Sequence, residues 1–187
     1  MAIIVKGKTF KPVPAGICRA ICVDVVDLGM LEKIWNGKSQ GMVHKIRIMW
    51  ETDRMMPEDE NGIRPFIAMK QYTLSMGKKS NLKKDLESWR GKQFTAEEMK
   101  GFDVEKLIGA ACQLVIVHNV SEDGTIFANI STVVKMEGGE KLAPTGKYKR
   151  VKDREGYEAP KAHEEEIEPE SPHEDHSSDL ADDDIPF

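Results

Sequence analysis

Ser80-Asn81-Leu82-Lys83-Lys84-Asp85-Leu86-Glu87-Ser88-Trp89 breaks the period of a chain otherwise patterned for strands. Leu82, Leu86 and Trp89 recur at helical spacing, and Ser80-Asn81 can cap the turn that begins there. Upstream the period is two. Residues 16–28 are rich in Ile, Cys and Val and read as a long first strand. Residues 42–51 alternate, with His44, Ile46, Ile48 and Trp50 on one face and Val43, Lys45, Arg47 and Met49 on the other. Residues 66–76 form a third strand entered through Pro65. Downstream, Thr95 and Glu98 make a capping box, with Phe94 and Met99 at the hydrophobic-staple positions. Asp103 then caps residues 104–108. Strands resume at 112–120 and 126–136, joined through Glu122-Asp123-Gly124-Thr125, where Asp-Gly is a hairpin signal.

Three strands, a helical insert and two strands is the order of the OB-fold, a mainly β, five-stranded barrel with its helix between strands 3 and 4. Its ligand face is built from strands 2 and 3 with the loops after strands 1 and 4. The expected organisation is a barrel domain over residues 1–140, a disordered basic-then-acidic linker over 141–178, and an acidic tip over 179–187. From residue 141 onward large apolar side chains become scarce, so the segment lacks the burial that offsets chain entropy.

Charge divides the same way. The chain carries −5 overall, yet residues 155–187 hold thirteen carboxylates against Lys161 alone, a net of −12, which leaves +7 on residues 1–154. A basic body suits a polyanion partner. Three cysteines, Cys18, Cys22 and Cys112, are an odd count without metal spacing and read as small buried hydrophobes in a reducing cytoplasm. No run approaches the ~20 apolar residues of a membrane span, and the first ten residues carry no secretory pattern.

Binding single strands needs cations for phosphates and aromatic faces for bases. Lys45 and Arg47 share the outer face of the second strand; Phe66, Lys70 and Tyr72 share one face of the third. The loop after the first strand carries Lys33, Trp35 and Lys38 beside Asn36-Gly37. Arg54 and Arg64 bracket the loop between strands 2 and 3, and Lys78 and Lys79 follow strand 3. Phe127 shares a face with the polar Asn129 and Ser131. Trp50 and Trp89 share spacing with aliphatic residues and read as core. Tyr72 is balanced between core packing, with its hydroxyl at a rim, and stacking on a base.

Catalytic patterns are missing. Met76-Gly77-Lys78-Lys79-Ser80 lacks the upstream glycine of a phosphate loop, since position 72 is Tyr. His44 and His118 have no second ligand at metal spacing, and no nucleophile has a recognisable setting. The sequence therefore points to neither an enzyme nor a metal or cofactor site.

Asp182-Asp183-Asp184-Ile185-Pro186-Phe187, preceded by Asp179-Leu180-Ala181, closely resembles the acidic C-terminal tip of bacterial single-stranded-DNA-binding proteins. In that family the tip docks replication, recombination and repair enzymes. An Arg can clamp the terminal carboxylate, the Phe187 ring can fill a pocket, and the aspartates can meet a basic rim. The body lacks the Gly-Asn-Leu turn of the bacterial housekeeping protein. Its middle, residues 81–95 and Ala128-Asn129-Ile130, resembles instead small proteins of bacteriophage replication modules. The resemblance implies a phage-encoded protein in a bacterial cytoplasm, with single-stranded DNA as one partner and host or phage enzymes as the other. A homo-oligomer is compatible with it. Two other functions fit the same sequence: a recombination mediator that anneals strands, and an interaction protein that decoys host enzymes through the tip.

Overall fold

The computed structural model describes residues 11–58, 62–138 and 142–160. Five antiparallel strands form one sheet: β1 (Gly16–Trp35), β2 (Lys38–Met55), β3 (Pro65–Thr73), β4 (Ala111–Val120) and β5 (Ile126–Lys135), in the order β3-β2-β1-β4-β5. Between β3 and β4 lie helix α1 (Asn81–Arg90), helix α2 (Ala96–Lys100) and a 3-10 turn (Val104–Leu107). Strand β1 belongs to both halves of the sheet. Its first residues pair with β4, from Gly16 opposite Ile116 to Ile21 opposite Ala111, and from Ala20 onward it pairs with β2. Irregularities after Cys22, Asp27 and Glu32 bend it along the way, as bulges do.

The sheet is not closed into a barrel, which corrects the closed form expected from strand order: β3 and β5 remain its edges. The two edges approach each other without pairing, and helix α1 lies against both. Asp85 accepts hydrogen bonds from Lys70 and Tyr72 of β3, the Trp89 indole donates to the Ala111 carbonyl, and Gly91 at the helix end sits against the Lys135 side chain of β5. The helix face is the one its spacing gave, with Leu82, Leu86 and Trp89 buried. They meet Ile46, Ile48 and Trp50 of β2, Cys18, Ala20 and Cys22 of β1, and Leu114 and Ile116 of β4 in one core. Trp50 is fully buried, its ring 5.8 Å from that of Trp89.

The other face of β1 and β2 is also covered. Residues 142–160 cross it as an extended strap with a short 3-10 turn (Val151–Asp153). Leu142, Tyr148 and Val151 pack on Ile21, Val23, Val26 and Met49 in a second apolar cluster. Two buried carboxylates fasten the strap. Asp24 accepts from the Tyr148 hydroxyl at 3.0 Å, Arg150 Nε at 3.0 Å and the Val151 N–H at 2.7 Å. Glu51 accepts from the Thr145 N–H at 2.7 Å and its hydroxyl at 3.1 Å. The folded body therefore extends at least to residue 160, where the sequence reading ended it near 140. Three apolar anchors and two hydrogen-bonded acids hold a segment whose composition looks unfoldable.

Candidate nucleic-acid interface

A groove of about 600 Å³ opens where β3 runs out beside β2 and the β1–β2 hairpin. Three lysines line it, Lys33 from β1, Lys45 from β2 and Lys79 from the loop before α1, and among the described residues no carboxylate does. The ladder explains the meeting. Gly29, Lys45 and Thr73 form one row across β1, β2 and β3, and Lys33 follows farther along β1. The loop carrying Lys79 is pinned by Ser80, whose N–H donates to the Gly77 carbonyl and whose hydroxyl donates to the Ser75 carbonyl. Ser80 also caps α1, accepting from the Lys83 N–H at 3.2 Å. Three ammonium groups lining one groove with no acid among the described residues, beside the positive end of a helix dipole, make a basin for anions.

The remaining candidates scatter. Lys38 and Lys78 are exposed close by in sequence, Lys38 pairing with Trp35 across the hairpin end. Arg47 lies half-buried on the outer face, its Nε without a hydrogen-bond partner. Arg54 is exposed at the far end of β2 and donates to the Ile17 carbonyl, while Arg64 is half-buried in the β2–β3 connection. Phe127 is 52% exposed on β5 beside exposed Asn129 and Ser131, away from the residues that line the groove.

Three of the proposed contacts on β3 turn inward. Phe66 is a core residue. Tyr72 borders the groove but is 4% exposed, so it has no face to offer a base. Its hydroxyl donates to Asp85 at 2.8 Å, and burial, then the Asp85 charge, push its pKa far up. Lys70 spends its charge on the same carboxylate at 2.7 Å. Parity was right in grouping these three; the face they share looks onto α1 and the core.

The β1–β2 connection also differs from the expected loop. Strand pairing continues to Trp35 and Lys38, and only Asn36 and Gly37 turn the chain, with φ of 47° and 71°. Both positive values suit a type I′ hairpin, for which Asn-Gly is the preferred pair. The Trp35 side chain and the tip residues Asp182 to Phe187 lie outside what the structure describes.

No protein family, curated protein or solved structure matches this chain. Among the described residues no group of His, Cys, Asp and Glu is placed to hold a metal ion, and no helix is long and apolar enough to cross a membrane. The three thiols are buried, and desolvation pushes Cys18 up to about 11 and Cys22 up to about 12. Sequence reasoning missed the cations of the strap, Lys147, Lys149 and Arg154, because it assigned them to a linker. The alternation that places Tyr148 and Arg150 against the sheet and Lys147 and Lys149 outward was their available signal.

Proposed function

We propose that the chain binds single-stranded DNA on an open, OB-type sheet and recruits replication, recombination or repair enzymes through its acidic tip. The observation that carries the reading is the groove where Lys33, Lys45 and Lys79 converge with no carboxylate among the described residues. Phosphates of a flexible strand can enter a concave basic surface and release their counterions there. Exposed Phe127 offers a stacking face, which tolerates any base because every base has a π-face. The Asp182-Asp183-Asp184-Ile185-Pro186-Phe187 motif supports the docking half, through its likeness to the tip of bacterial single-stranded-DNA-binding proteins.

The test is binding of poly-dT and of duplex DNA across a salt series. The expected result is preference for poly-dT, a steep loss of affinity with salt, and a shallower slope in the triple variant Lys33→Gln, Lys45→Gln, Lys79→Gln. Absence of binding to poly-dT at low salt would overturn the proposal and leave the tip as the chain's working part. Substitution of Phe187 should abolish enzyme docking and spare DNA binding; equal loss of both would sink the division of labour.

A further inference from the structure

The strap that crosses the outer face of β1 and β2 changes the sign of that face. Beneath it lie Asp24 and Glu51, 1% and 3% exposed, two carboxylates that a bare sheet would present to solvent. Above it the strap carries five cations within eight residues: Lys147, Lys149, Arg150, Lys152 and Arg154. Two of these are consumed internally. Arg150 pairs with Asp24 and Glu105, each at 3.0 Å, and Lys152 with Glu105 at 3.3 Å. The other three meet no carboxylate among the described residues. Lys147 donates to the Ile63 carbonyl, Arg154 donates to the Lys149 carbonyl and lies 5.5 Å from the centre of the Tyr148 ring, and Lys149 is exposed.

We infer that residues 147–154 are a second phosphate-binding surface, on which Lys147, Lys149 and Arg154 engage the backbone of a single strand that also occupies the lysine groove. The inference rests on the DNA-binding reading above. The alternative role for such a strap is a lid that DNA pushes aside. Electrostatics oppose it: lifting the strap would set Asp24 and Glu51 against incoming phosphates and remove five cations from the face. A polyanion gains by keeping the strap down. An uncharged surface connects the two basic areas, since Gln71 lines the groove and stands on the same β3 face as exposed Met69 and half-buried Ile67.

The experiment compares the full chain with the variant Lys147→Gln, Lys149→Gln, Arg154→Gln in poly-dT binding over a salt series. All three side chains are exposed, and when the Lys147 bond to Ile63 and the Arg154 bonds to Lys149 are lost the strap keeps its anchors on Asp24, Glu51 and the apolar cluster. The salt slope for single strands is about 0.7 per phosphate contact, so the variant's slope should fall by about 2. An unchanged slope and affinity, with the parent chain still binding poly-dT, would overturn this inference and leave the proposed function standing. Failure of the parent to bind would remove the proposed function itself. Hydrogen exchange supplies the second readout. The Val151 and Thr145 amides, bonded to Asp24 and Glu51, should stay protected at saturating poly-dT. Loss of that protection on binding would identify a displaced lid and overturn the inference.

Discussion

Tyr72 shows how a single side chain separates two roles that a sequence leaves balanced. Even-numbered spacing placed it with Phe66 and Lys70, and all three do share a face; which layer covers that face is decided by how α1 folds back over the sheet, which strand parity does not show. With its hydroxyl on Asp85, Tyr72 is a strut between β3 and α1. Tyr72→Phe should cost about 1–3 kcal/mol in a urea unfolding curve, because Asp85 then keeps Lys70 but loses a buried donor. Its poly-dT affinity should match the parent's; a parallel loss of affinity would return the ring to the groove. The cysteines permit an equally direct check. Desolvation holds Cys18 and Cys22 near 11 and 12 and raises Cys112 further still, so little thiolate exists at neutral pH. A colorimetric disulfide reagent should find no reactive thiol in the native protein and three in denaturant. Fast native labelling would contradict the packing of β1 against β4.

At the scale of elements, the parts with local signals were the legible ones. Both helices begin at the caps their sequences announce. In α2 the Thr95 N–H donates to Glu98 at 3.0 Å, and the Glu98 N–H donates to the Thr95 hydroxyl at 3.2 Å. The same Glu98 pairs with Arg90 of α1. The Thr95 N–H first, then Arg90, hold its carboxyl down at about 2, against an ordinary 4.5. A lowered folded-state pKa gives stability that is complete above the unfolded value and is lost as pH falls through the folded one. Acid should therefore weaken the fold from about pH 4.5 towards 2, and Glu98→Gln, which preserves the box, should show a smaller drop in Tm across that window. An equal drop would show that Glu98 carries none of the proton linkage. The ribbon of β1 and β2 was harder to read. Its Asn36-Gly37 turn is as strong a hairpin sign as Asp123-Gly124, yet polar residues around it masked the ladder beyond residue 28.

For the molecule as a whole, strand order was readable and closure was not, because closure depends on whether two edges meet or a helix fits against both. The strap was illegible for a related reason. The alternation over residues 147–150 is too short to reveal it, Leu142 and Val151 fall outside that alternation, and their partners lie in β1 and β2. The strap also delivers the chain to a telling place. Pro160 lies over Gly29, so close that a methyl added there would stand 2.7 Å from Pro160 Cβ, and Gly29 pairs with Lys45 of the groove. The described residues thus end one strand from the lysine groove, and the sequence that follows is strongly acidic. Removing residues 161–187 should tighten poly-dT binding at low salt and matter little at high salt; unchanged affinity at low salt would show that the tail leaves the groove alone. The fastening of Asp24 to Val151 has a further consequence during synthesis. The acid emerges from the ribosome 127 residues before the amide that satisfies it. Until then Ile21, Val23, Met49 and two carboxylates face solvent on a sheet that can already pair, and contacts so distant in sequence form late. A chain ended at residue 141 should aggregate on expression while one ended at 160 stays monodisperse in size-exclusion chromatography. Residues 142–160 thus act on the first strand as a built-in chaperone would, covering it only after all five strands have been made.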